Sequence, residues 1–399
     1  MEESPTEKGY KTIQDPIHGL IKLDKDTLKL IDTPQFQRLR GIKQLGFAYL
    51  VYPGANHTRF EHCIGTMHLA KILAQKLKLG QEVVISALLH DIAHPPFSHS
   101  CEGLLRDHMI DHESIEMAVR GELREELDNL GFSLKELKKI ISGEEESIVC
   151  GDVDVDRMDY LVRDAYYTGV AYGIFDISRL MDKIRFENGL VVEEGGIRAV
   201  ESMLISRFLM YPSVYYHHVC RIATKMFERA MERIVKKGLR IEELFEMDDS
   251  DAIMLLKMHE PEFYSMLRNR RLFKRAVYVG RESVDFREVM KVDEKRAERK
   301  IAEMAGIDEK YVIVDIPEVE EVREFSIRVE IGEKIRRIEE VSALVRALRS
   351  SWMENWRLGV YTKKEFLEEI KRCAIEYFGI DKSVQRKLFV DSSSNSWIP

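Results

Sequence analysis

Cysteine is scarce in this chain, and long hydrophobic runs are lacking. None of the five cysteines forms a Cys-x-x-Cys pair, so neither a thiolate zinc site nor a disulfide framework is expected. The strongest apolar run near the motifs below, Val83–Leu89, is far too short to span a bilayer. The segment Met1–Tyr10 is polar and acidic, unlike a secretory signal. We therefore expect a cytoplasmic protein with no membrane partner. The cysteines are Cys63, Cys101, Cys150, Cys220 and Cys373.

A surplus of basic residues is lacking as well. The chain has 61 Lys and Arg against 69 Asp and Glu, which gives a net charge of −8. A protein that coats nucleic acid needs a basic surface, so nucleic acid is an unexpected partner, although a local basic pocket for phosphates is compatible with this charge. Hydrophobic residues make up 45% of the 399 positions. That is enough for one large domain and a smaller one.

Helical patterns dominate the first 250 residues. Apolar spacing predicts a helix at Gln81–His90 and a longer helical segment at Met203–Val235, interrupted at Pro212. The pair Asn188-Gly189 stands between two short apolar runs, which is typical of a tight β-hairpin. The predicted core is therefore helical with one small hairpin.

The pattern changes beyond about residue 250, where short strand-like runs alternate with charged helical ones. We predict a mainly α fold with a helical core over residues 1–250, a C-terminal α+β lobe over residues 251–390 and a Ser-rich flexible tail over residues 391–399. The predicted strands are Tyr311–Ile316, Phe325–Ile331 and Leu358–Tyr361, and the predicted helices are Glu294–Ala305, Ile338–Leu348 and Lys363–Tyr377.

The adjacent pair His90-Asp91 ends an apolar run, so at least one of its side chains starts from a buried helical face. A buried carboxylate without a partner costs several kcal/mol or shifts its pKa until it becomes neutral. A bound metal ion removes that cost. Because adjacent helical residues diverge by roughly 100°, both side chains reach one ion only if it lies between them.

Two other stretches supply further candidate ligands. His62 lies in a short polar cluster, which we place ahead of a helical segment. Asp156, Tyr160 and Asp164 are spaced to share one helical face, where carboxylates call for a cation opposite. Two imidazoles and two carboxylates form a mixed nitrogen and oxygen set that suits Mn, Fe, Ni, Zn or Mg, and the choice stays open.

Each of these residues also has an ordinary explanation. A His-Asp dipeptide occurs by chance, His62 alone could be a hydrogen-bonded structural histidine, and Asp156 alone could be a helix N-cap. The density of imidazoles favours a site, because four more follow within 22 residues of His90. These are His94, His99, His108 and His112.

The set His62, His90-Asp91 and Asp156 resembles the metal-binding signature of the HD phosphohydrolases. Longer strings between Lys11 and Arg221 resemble the deoxynucleoside triphosphate triphosphohydrolase branch of that family. The resemblance implies an HD-domain helical core, one divalent or transition metal ion per subunit, and release of triphosphate and deoxynucleoside from a dNTP. These strings are Asp15-Pro16-Ile17-His18-Gly19, Thr33-Pro34-Gln35-Phe36-Gln37-Arg38-Leu39-Arg40, Ile42-Lys43-Gln44-Leu45-Gly46 and His90-Asp91-Ile92-Ala93-His94-Pro95-Pro96-Phe97-Ser98-His99.

The resemblance also implies catalytic and substrate-binding residues. It gives proton donation to the leaving oxygen to His112, places His94 near the α-phosphate, and makes Glu102 the acid that orients His112, where relatives carry the shorter Asp. Arg157 replaces a lysine of the family. The implied substrate contacts are Gln44, Arg59, His99, Arg157, Tyr160, Asp164, Arg207, Tyr215 and His217.

Ordinary alternatives exist for the residues of the long helical segment. Arg207, Tyr211 and Tyr215 are spaced by four, so they line one face. Core packing is the alternative explanation for the two tyrosines, and a surface salt bridge is the alternative for Arg207.

Four residues match positions that bind an activating guanine nucleotide at a subunit interface in related enzymes. The resemblance therefore implies a homodimer or homotetramer that GTP or a dNTP activates. Without it, Asp32 would be a helix cap and Arg40 an exposed basic residue. Two other functions stay open: an HD phosphohydrolase acting on another nucleotide or a phosphodiester, and a non-catalytic nucleotide sensor. The four residues are Lys11, Asp32, Gln37 and Arg40.

Overall fold

The computed structural model describes residues 10–108, 115–187, 189–318 and 323–380. Helices dominate this part of the chain, which confirms the mainly α fold class. The helices are α1 (Lys25–Ile31), α2 (Pro34–Gln37), α3 (Arg59–Leu77), α4 (Gln81–Leu89), α5 (Glu102–Asp107), α6 (Gly121–Asn129), α7 (Leu134–Ile141), α8 (Val155–Thr168), α9 (Ile177–Lys183), α10 (Ile197–Met210), α11 (His218–Lys236), α12 (Asp249–His259), α13 (Pro261–Arg268), α14 (Phe286–Val289), α15 (Glu294–Ala305), α16 (Ile338–Val341), α17 (Ala343–Ser351) and α18 (Leu367–Phe378).

Strands form three small sheets in the same residues. An N-terminal hairpin pairs β1 with β2, a second sheet has the order β3-β4-β7-β8, and a third has the order β5-β9-β6. All pairs are antiparallel except β4 with β7. The strands are β1 (Lys11–Asp15), β2 (Gly19–Leu23), β3 (Ile184–Phe186), β4 (Leu190–Val192), β5 (Lys274–Val279), β6 (Ile313–Asp315), β7 (Arg328–Ile331), β8 (Lys334–Arg337) and β9 (Leu358–Thr362).

The predicted hairpin is present as β3 and β4, paired from Ile184 with Val192 to Phe186 with Leu190. Asn188 of its predicted turn lies outside the described residues. The predicted strands beyond residue 250 are also found, as β6, β7 and β9. The hairpin β1–β2 and the strands β5 and β8 were not predicted, because short strands carry too few residues for a periodic signal.

The helix α3 begins earlier than the sequence indicated. A capping box between Thr58 and Glu61 starts it, so His62 lies inside the helix and not ahead of it. The face that follows is packed into the core, with Cys63 and Ala70 fully buried. The helix α3 therefore carries His62 on rigid, buried backbone.

The helices α4 and α8 bring the other three candidates to the same place. Every residue from Val83 to Leu89 is buried, and His90 ends α4. Asp154 is the N-cap of α8, accepting a hydrogen bond from the backbone N–H of Arg157 at 2.8 Å. Asp156 is therefore not the cap but a first-turn residue with its side chain available for other contacts.

The interruption predicted at Pro212 is a wide helical turn. The residues Tyr211–Tyr215 form a π-helix between α10 and α11, with the N–H of Tyr216 bonded to the carbonyl of Tyr211 at 2.7 Å. Proline cannot donate to the preceding turn, which favours such a local widening. The turn contains Tyr211 and Tyr215, and Tyr216 follows at its end.

Apolar packing crosses the boundary that the sequence indicated near residue 250. Phe273, Ile313 and Tyr361 pack in the same large cluster as α3 and α4, while a smaller cluster fills the space between the sheet β5-β9-β6 and the helices α15 and α18. The division into residues 1–250 and 251–390 stays a prediction. Within the described residues, no helix combines the length and the apolar character that crossing a bilayer requires.

Candidate metal centre and adjoining cleft

Three of the four predicted ligands, His62, His90 and Asp156, have ligand atoms that all lie within 4.8 Å of one another, and Asp91 lies beside them, just after the end of α4. His62 Nε2 lies 3.2 Å from His90 Nε2, 2.9 Å from Asp156 Oδ1 and 3.5 Å from Asp91 Oδ2. His90 Nε2 lies 3.5 Å from Asp156 Oδ1 and from Asp91 Oδ1. Bonds of about 2.0–2.2 Å from a metal ion to nitrogen and oxygen place neighbouring ligand atoms roughly 3 Å apart. The spacing therefore fits a single ion.

Hydrogen bonds on the far side of each imidazole fix which nitrogen faces the centre. His62 Nδ1 contacts Asp159 Oδ2 at 2.8 Å, and His90 Nδ1 contacts the carbonyl of Ala87 at 2.8 Å. Both Nδ1 atoms are thus donors, so in the neutral rings both Nε2 lone pairs point at each other and at Asp156. Lone pairs at 3.2 Å repel each other unless a cation lies between them. The donor set therefore fits a metal ion.

The pKa values show the same demand for positive charge. Burial alone lowers the pKa of His62, but its hydrogen bonds to Asp156 and Asp159 outweigh that effect and raise it to about 10. Burial likewise raises the pKa of Asp156, whereas the contacts with His62 and His90 hold it well below its usual range. A group of buried atoms that attracts a proton this strongly also attracts a metal ion.

A buried polar network supports His62 from behind. Asp159 is fully buried and accepts from His62 Nδ1, from His18 Nε2 at 2.6 Å and from Arg163 at 2.8 and 2.9 Å. Arg163 also donates to Asp15 at 2.8 Å. The supporting roles of Asp159 and Arg163 were not predicted from the sequence. Their spacing of four on one helix and the string Asp15 to His18 were the available signals.

Asp91 is held by positive charge and faces the cleft. Arg59 Nη1 lies 2.5 Å from Asp91 Oδ2, and His94 Nε2 lies 3.2 Å from Asp91 Oδ1. Although burial raises the pKa of Asp91, Arg59 and the neighbouring imidazoles hold it well below its usual range. Arg59 also donates to Ser98 Oγ at 2.9 Å and lies 3.2 Å from His99 Nε2. Arg59 therefore links a metal ligand to the cleft wall.

A cleft of about 1370 Å³, including its open mouth, adjoins the centre. Both carboxylate ligands reach it, while His62 and His90 lie beneath its floor. The structure places eight of the predicted catalytic and substrate residues on its wall, together with residues that were not predicted. The eight are Gln44, Arg59, His94, His99, Glu102, Tyr160, Asp164 and Tyr215, and the additional residues include Ser98, Ser100, Tyr216, Arg221 and Thr224.

The cleft wall also carries hydrogen-bonding groups. Asp164 Oδ1 lies 2.7 Å from His57 Nε2, and Tyr215 donates to Asp164 Oδ2 at 2.9 Å. Gln44 is 7% exposed, and its Oε1 has no hydrogen-bond partner among the described residues. Tyr215 packs edge-on against Tyr160, so it combines core packing with a polar contact. His57 was missed, although it belongs to the histidine-rich stretch.

Arg157 and Arg207 lie near the phenol of Tyr160. Burial raises the pKa of Tyr160, and the positive charges of Arg207 and Arg157 act in the opposite direction. Arg207 is only 8% exposed and stands over the rings of Tyr211 and Trp352 at 5.5 and 5.8 Å. Its burial excludes the surface salt bridge that the sequence left open. Neither arginine is among the residues that line the cleft.

The predicted proton relay is described only in part. Glu102 contacts His99 Nδ1 at 2.5 Å, and His112 lies outside the described residues. His217 stands at the start of α11, where its Nδ1 accepts from the N–H of Val219 at 3.3 Å, and it does not line the cleft. The roles of these residues stay predictions.

The predicted activator residues occupy the N-terminal part of the fold. Gln37 Oε1 accepts from Arg40 Nε at 2.8 Å, and the Arg40 guanidinium lies 3.5 Å from the ring centre of Phe60. Asp32 ends α1 as its C-cap, and Lys11 is exposed on β1. A nucleotide site at these positions stays a prediction.

Two imidazoles and two carboxylates on helices, beside a cleft with nearby arginines, define a metal-dependent phosphohydrolase site. Family comparisons agree with this class. The family model described as "HD domain" matches residues 59–164, and the one described as "HD associated region" matches residues 175–389. The chain belongs to the HD-domain family, whose members bind divalent metal ions and hydrolyse phosphate esters.

The chain is also similar to individual proteins of known sequence. The chain is 39% identical over 377 residues to the uncharacterised protein MJ1154 of Methanocaldococcus jannaschii, covering 90% of this chain and 81% of that protein. It is 31% identical over 278 residues to the deoxynucleoside triphosphate triphosphohydrolase SAMHD1 of Gallus gallus. That match covers 56% of this chain and 45% of the chicken enzyme, so the chain spans less than half of it.

Solved structures extend the likeness over nearly the whole chain. A hypothetical protein of Aquifex aeolicus superposes with a TM-score of 0.75 at 32% identity, covering 91% of this chain and 99% of that one. A phosphohydrolase of Bacteroides thetaiotaomicron gives a TM-score of 0.71 at 25% identity, with coverages of 89% and 100%. The C-terminal part is therefore shared with these structures and is not an isolated addition.

Proposed function

We propose that this protein hydrolyses deoxynucleoside triphosphates to a deoxynucleoside and triphosphate, with one metal ion held by His62, His90, Asp91 and Asp156. The observation that carries the proposal is the convergence of these donor atoms at the floor of a cleft large enough for a nucleotide. When bound, the ion supplies Lewis acidity toward a phosphoryl oxygen and toward water. Similarity to a dNTP triphosphohydrolase supports the choice of substrate.

The positive charges around the cleft suit a triphosphate. Arg59 is anchored by Asp91 and Ser98 and presents its guanidinium beside His99. Arg157 and Arg207 do not line the cleft, but their positive charges act on Tyr160, which does. Preorganised cations stabilise the charge that builds on phosphoryl oxygens during the reaction. We assign these residues to the phosphates, with His99 as a fourth contact.

The hydrogen-bonding groups of the cleft wall suit a deoxyribose. Gln44 Oε1 has no hydrogen-bond partner among the described residues, so it can accept a hydrogen bond from a hydroxyl of the sugar. Asp164 is fixed by His57 and Tyr215 and offers a second acceptor nearby. Leu45 lines the same cleft, where crowding would disfavour a 2′-hydroxyl. These groups support a deoxynucleotide over a ribonucleotide.

The leaving oxygen needs a proton, for which we assign His112 with Glu102 as its orienting acid. An imidazole is matched to neutral pH, which supports this role for a histidine. His94, held against Asp91 at 3.2 Å, is assigned to the α-phosphate. His217 is assigned to the nucleoside side. Activation of a homodimer or homotetramer by GTP or a dNTP, through Lys11, Asp32, Gln37 and Arg40, is a further part of the proposal.

Product analysis tests this function. Purified protein of known metal content is incubated with each dNTP and NTP in the presence of Mn²⁺, Mg²⁺, Co²⁺ or Ni²⁺, and every product is identified. Tripolyphosphate and a deoxynucleoside in equal amounts would support the proposal. Pyrophosphate, a monophosphate or cleavage of a phosphodiester would replace it by another HD hydrolase activity. Binding of dNTPs without turnover under every metal would indicate a nucleotide sensor.

A further inference from the structure

His18 lies 141 residues before Asp159 in the chain, yet the two side chains touch. His18 Nε2 lies 2.6 Å from Asp159 Oδ1, and Asp159 Oδ2 accepts from His62 Nδ1 at 2.8 Å. One buried carboxylate thus bridges two imidazoles, and the second imidazole is a candidate metal ligand. The order His18, Asp159, His62 runs from the N-terminal hairpin to the metal centre.

Asp159 accepts hydrogen bonds from Arg163 and His62 as well as from His18. Arg163 donates two hydrogen bonds to Asp159, and Asp15 neutralises Arg163 through a contact at 2.8 Å. His62 is the remaining donor and is committed to the centre. A carboxylate that accepts from a metal-bound imidazole orients the ring and raises its basicity, and loss of such a partner weakens metal binding by 10–100-fold as a rough rule. The hydrogen bond between His18 and Asp159 therefore affects the orientation and basicity of the His62 ring.

The backbone of His18 is held independently of its ring. Asp15 Oδ1 accepts from the N–H groups of Ile17 at 2.9 Å and His18 at 2.8 Å, which closes the turn between β1 and β2. The imidazole of His18 is thus not required to form this turn. It lines a groove that shares no lining residue with the cleft, and its ring lies 5.6 Å from that of His68. A change of the ring can therefore be separated from a change of the hairpin.

We propose that His18 is a positioning residue of the metal centre, fixing through Asp159 the orientation and donor strength of His62. This inference rests on the metal site of the proposed function but not on its substrate. The N-terminal hairpin is then a working part of the centre, supplied by a segment that precedes the matched HD domain. Cobalt alone is a sufficient probe, so no nucleotide is needed.

The test is titration of the chelator-treated full chain with Co²⁺, measuring the dissociation constant and the visible absorption spectrum of the bound ion. His18→Ala should bind Co²⁺ more weakly, by up to about tenfold, and with an altered spectrum, because Asp159 loses one of its donors while Arg163 still holds it. His18→Gln should bind nearly as the parent does, because the Gln amide nitrogen takes the position of Nε2. His18→Asn should resemble the alanine variant, because its amide falls short of Asp159. The matched control is His68→Ala, which removes an imidazole from the same groove and should leave both readings unchanged.

The variants discriminate between positioning and general damage. Co²⁺ affinity and spectrum that are the same in His18→Ala and the parent would overturn the proposal, as would equal behaviour of the Gln and Asn variants. The pair of amide variants also decides the matter if the alanine variant does not fold. Failure of the parent chain to bind Co²⁺ would overturn the metal site itself, whereas parent binding without turnover of any nucleotide would overturn only the proposed substrate.

Discussion

Two clusters of largely buried ionisable side chains in this protein have opposite character. One is the metal centre at the junction of α3, α4 and α8, which is built from histidines and aspartates. The other is the ionic stripe, defined here as the charged residues of α11 from Arg221 to Glu232 and the residues of the C-terminal lobe that pair with them. Its residues are Arg221, Lys225, Glu228, Arg229, Glu232, Glu294, Lys295, Glu298 and Asp315.

Each carboxylate of the ionic stripe has a cation from the protein. Asp315 pairs with Arg221 and also accepts from Tyr361 at 3.0 Å, and Lys225 lies 3.2 Å from Glu228. Arg229 lies 2.5 Å from Glu298. Such a cluster is paired from within the protein and does not require a ligand, although burial still raises the pKa of Glu298 to about 7.

The metal centre is incomplete by the same criterion. The Nε2 atoms of His62 and His90 and an oxygen of Asp156 point at one another, and the supporting hydrogen bonds of the two imidazoles are on their other nitrogens. The presence of buried carboxylates does not separate the two clusters. The direction of the lone pairs does, and it distinguishes a site that binds an ion from one that stabilises a fold.

Removing a ligand should give the largest effect. Asp156→Ala and His90→Ala should each lose bound metal and turnover by more than the 10–100-fold that is typical of outer partners, because they remove direct donor atoms. Metal analysis and initial rates check this. Asp128→Ala, an exposed carboxylate elsewhere, is the control. Full metal content in both ligand variants would contradict the assignment of His62, His90 and Asp156 as an ion-binding cluster.

Removing a carboxylate of the ionic stripe should destabilise the fold without removing the metal ion. Asp315→Ala leaves Arg221 buried without its partner and should lower the free energy of unfolding by about 3–5 kcal/mol. Denaturant titration measures this change, and metal content per folded chain should stay at the parent value. A variant that stays stable but loses metal would reverse the comparison.

A third buried carboxylate sharpens the comparison, because it has mainly backbone donors. Asp249 accepts from the N–H groups of Phe97 at 2.6 Å and Lys43 at 3.1 Å, yet burial raises its pKa to about 6. The folded state then binds the proton more tightly than the unfolded state, whose pKa is 3.8. Its contribution is fully present below pH 3.8 and is lost as the pH rises through 6, by about 3 kcal/mol.

The pH dependence of unfolding checks this. As the pH rises from 4 to 6.5, the free energy of unfolding of the parent should fall relative to that of Asp249→Asn. Asp315→Asn should change little relative to the parent over this range, because Arg221 and Lys225 hold the pKa of Asp315 below its usual value of 3.8 and its contribution is lost only as the pH falls below 3.8. Parallel curves for the parent and Asp249→Asn would contradict the assignment.

Withdrawing the ion should destabilise the protein by a smaller amount. Free ligand at a hundred times its dissociation constant stabilises the folded state by about 2.7 kcal/mol. Chelation should therefore lower the Tm of the parent, and added Mn²⁺ or Co²⁺ should restore it. Asp156→Ala should show no such response, and Asp315→Asn should show the full one. A response of equal size in Asp156→Ala would place the stabilising ion elsewhere.

Much of the architecture followed from local patterns. Apolar spacing predicted α4 and the helical segment broken at Pro212, and Asn188-Gly189 predicted the hairpin of β3 and β4. The hairpin β1–β2 escaped prediction, because β1 and β2 are five residues each and carry no long repeat. Helix starts were also misjudged where side chains cap the backbone, as at Thr58 before α3 and Asp154 before α8.

The candidate site divides in the same way. His62, His90, Asp91 and Asp156 were chosen as residue types that suit a metal, and the fold brings their donor atoms together. The partners behind them were not chosen, although His18 lies in one of the strings that resemble the family and Asp159 is spaced by four from Arg163. His57 likewise gained meaning only through its contact with Asp164.

The sequence by itself determined the helical segments, the ligand chemistry and the resemblance to a family of hydrolases, because these depend on residue type and short-range spacing. Only the tertiary structure decided which nitrogen of each histidine faces the centre, which carboxylates already have a cation, and that a histidine of the first hairpin supports the metal site. Those properties depend on distances between segments far apart in the chain, and such distances are set by how the helices pack.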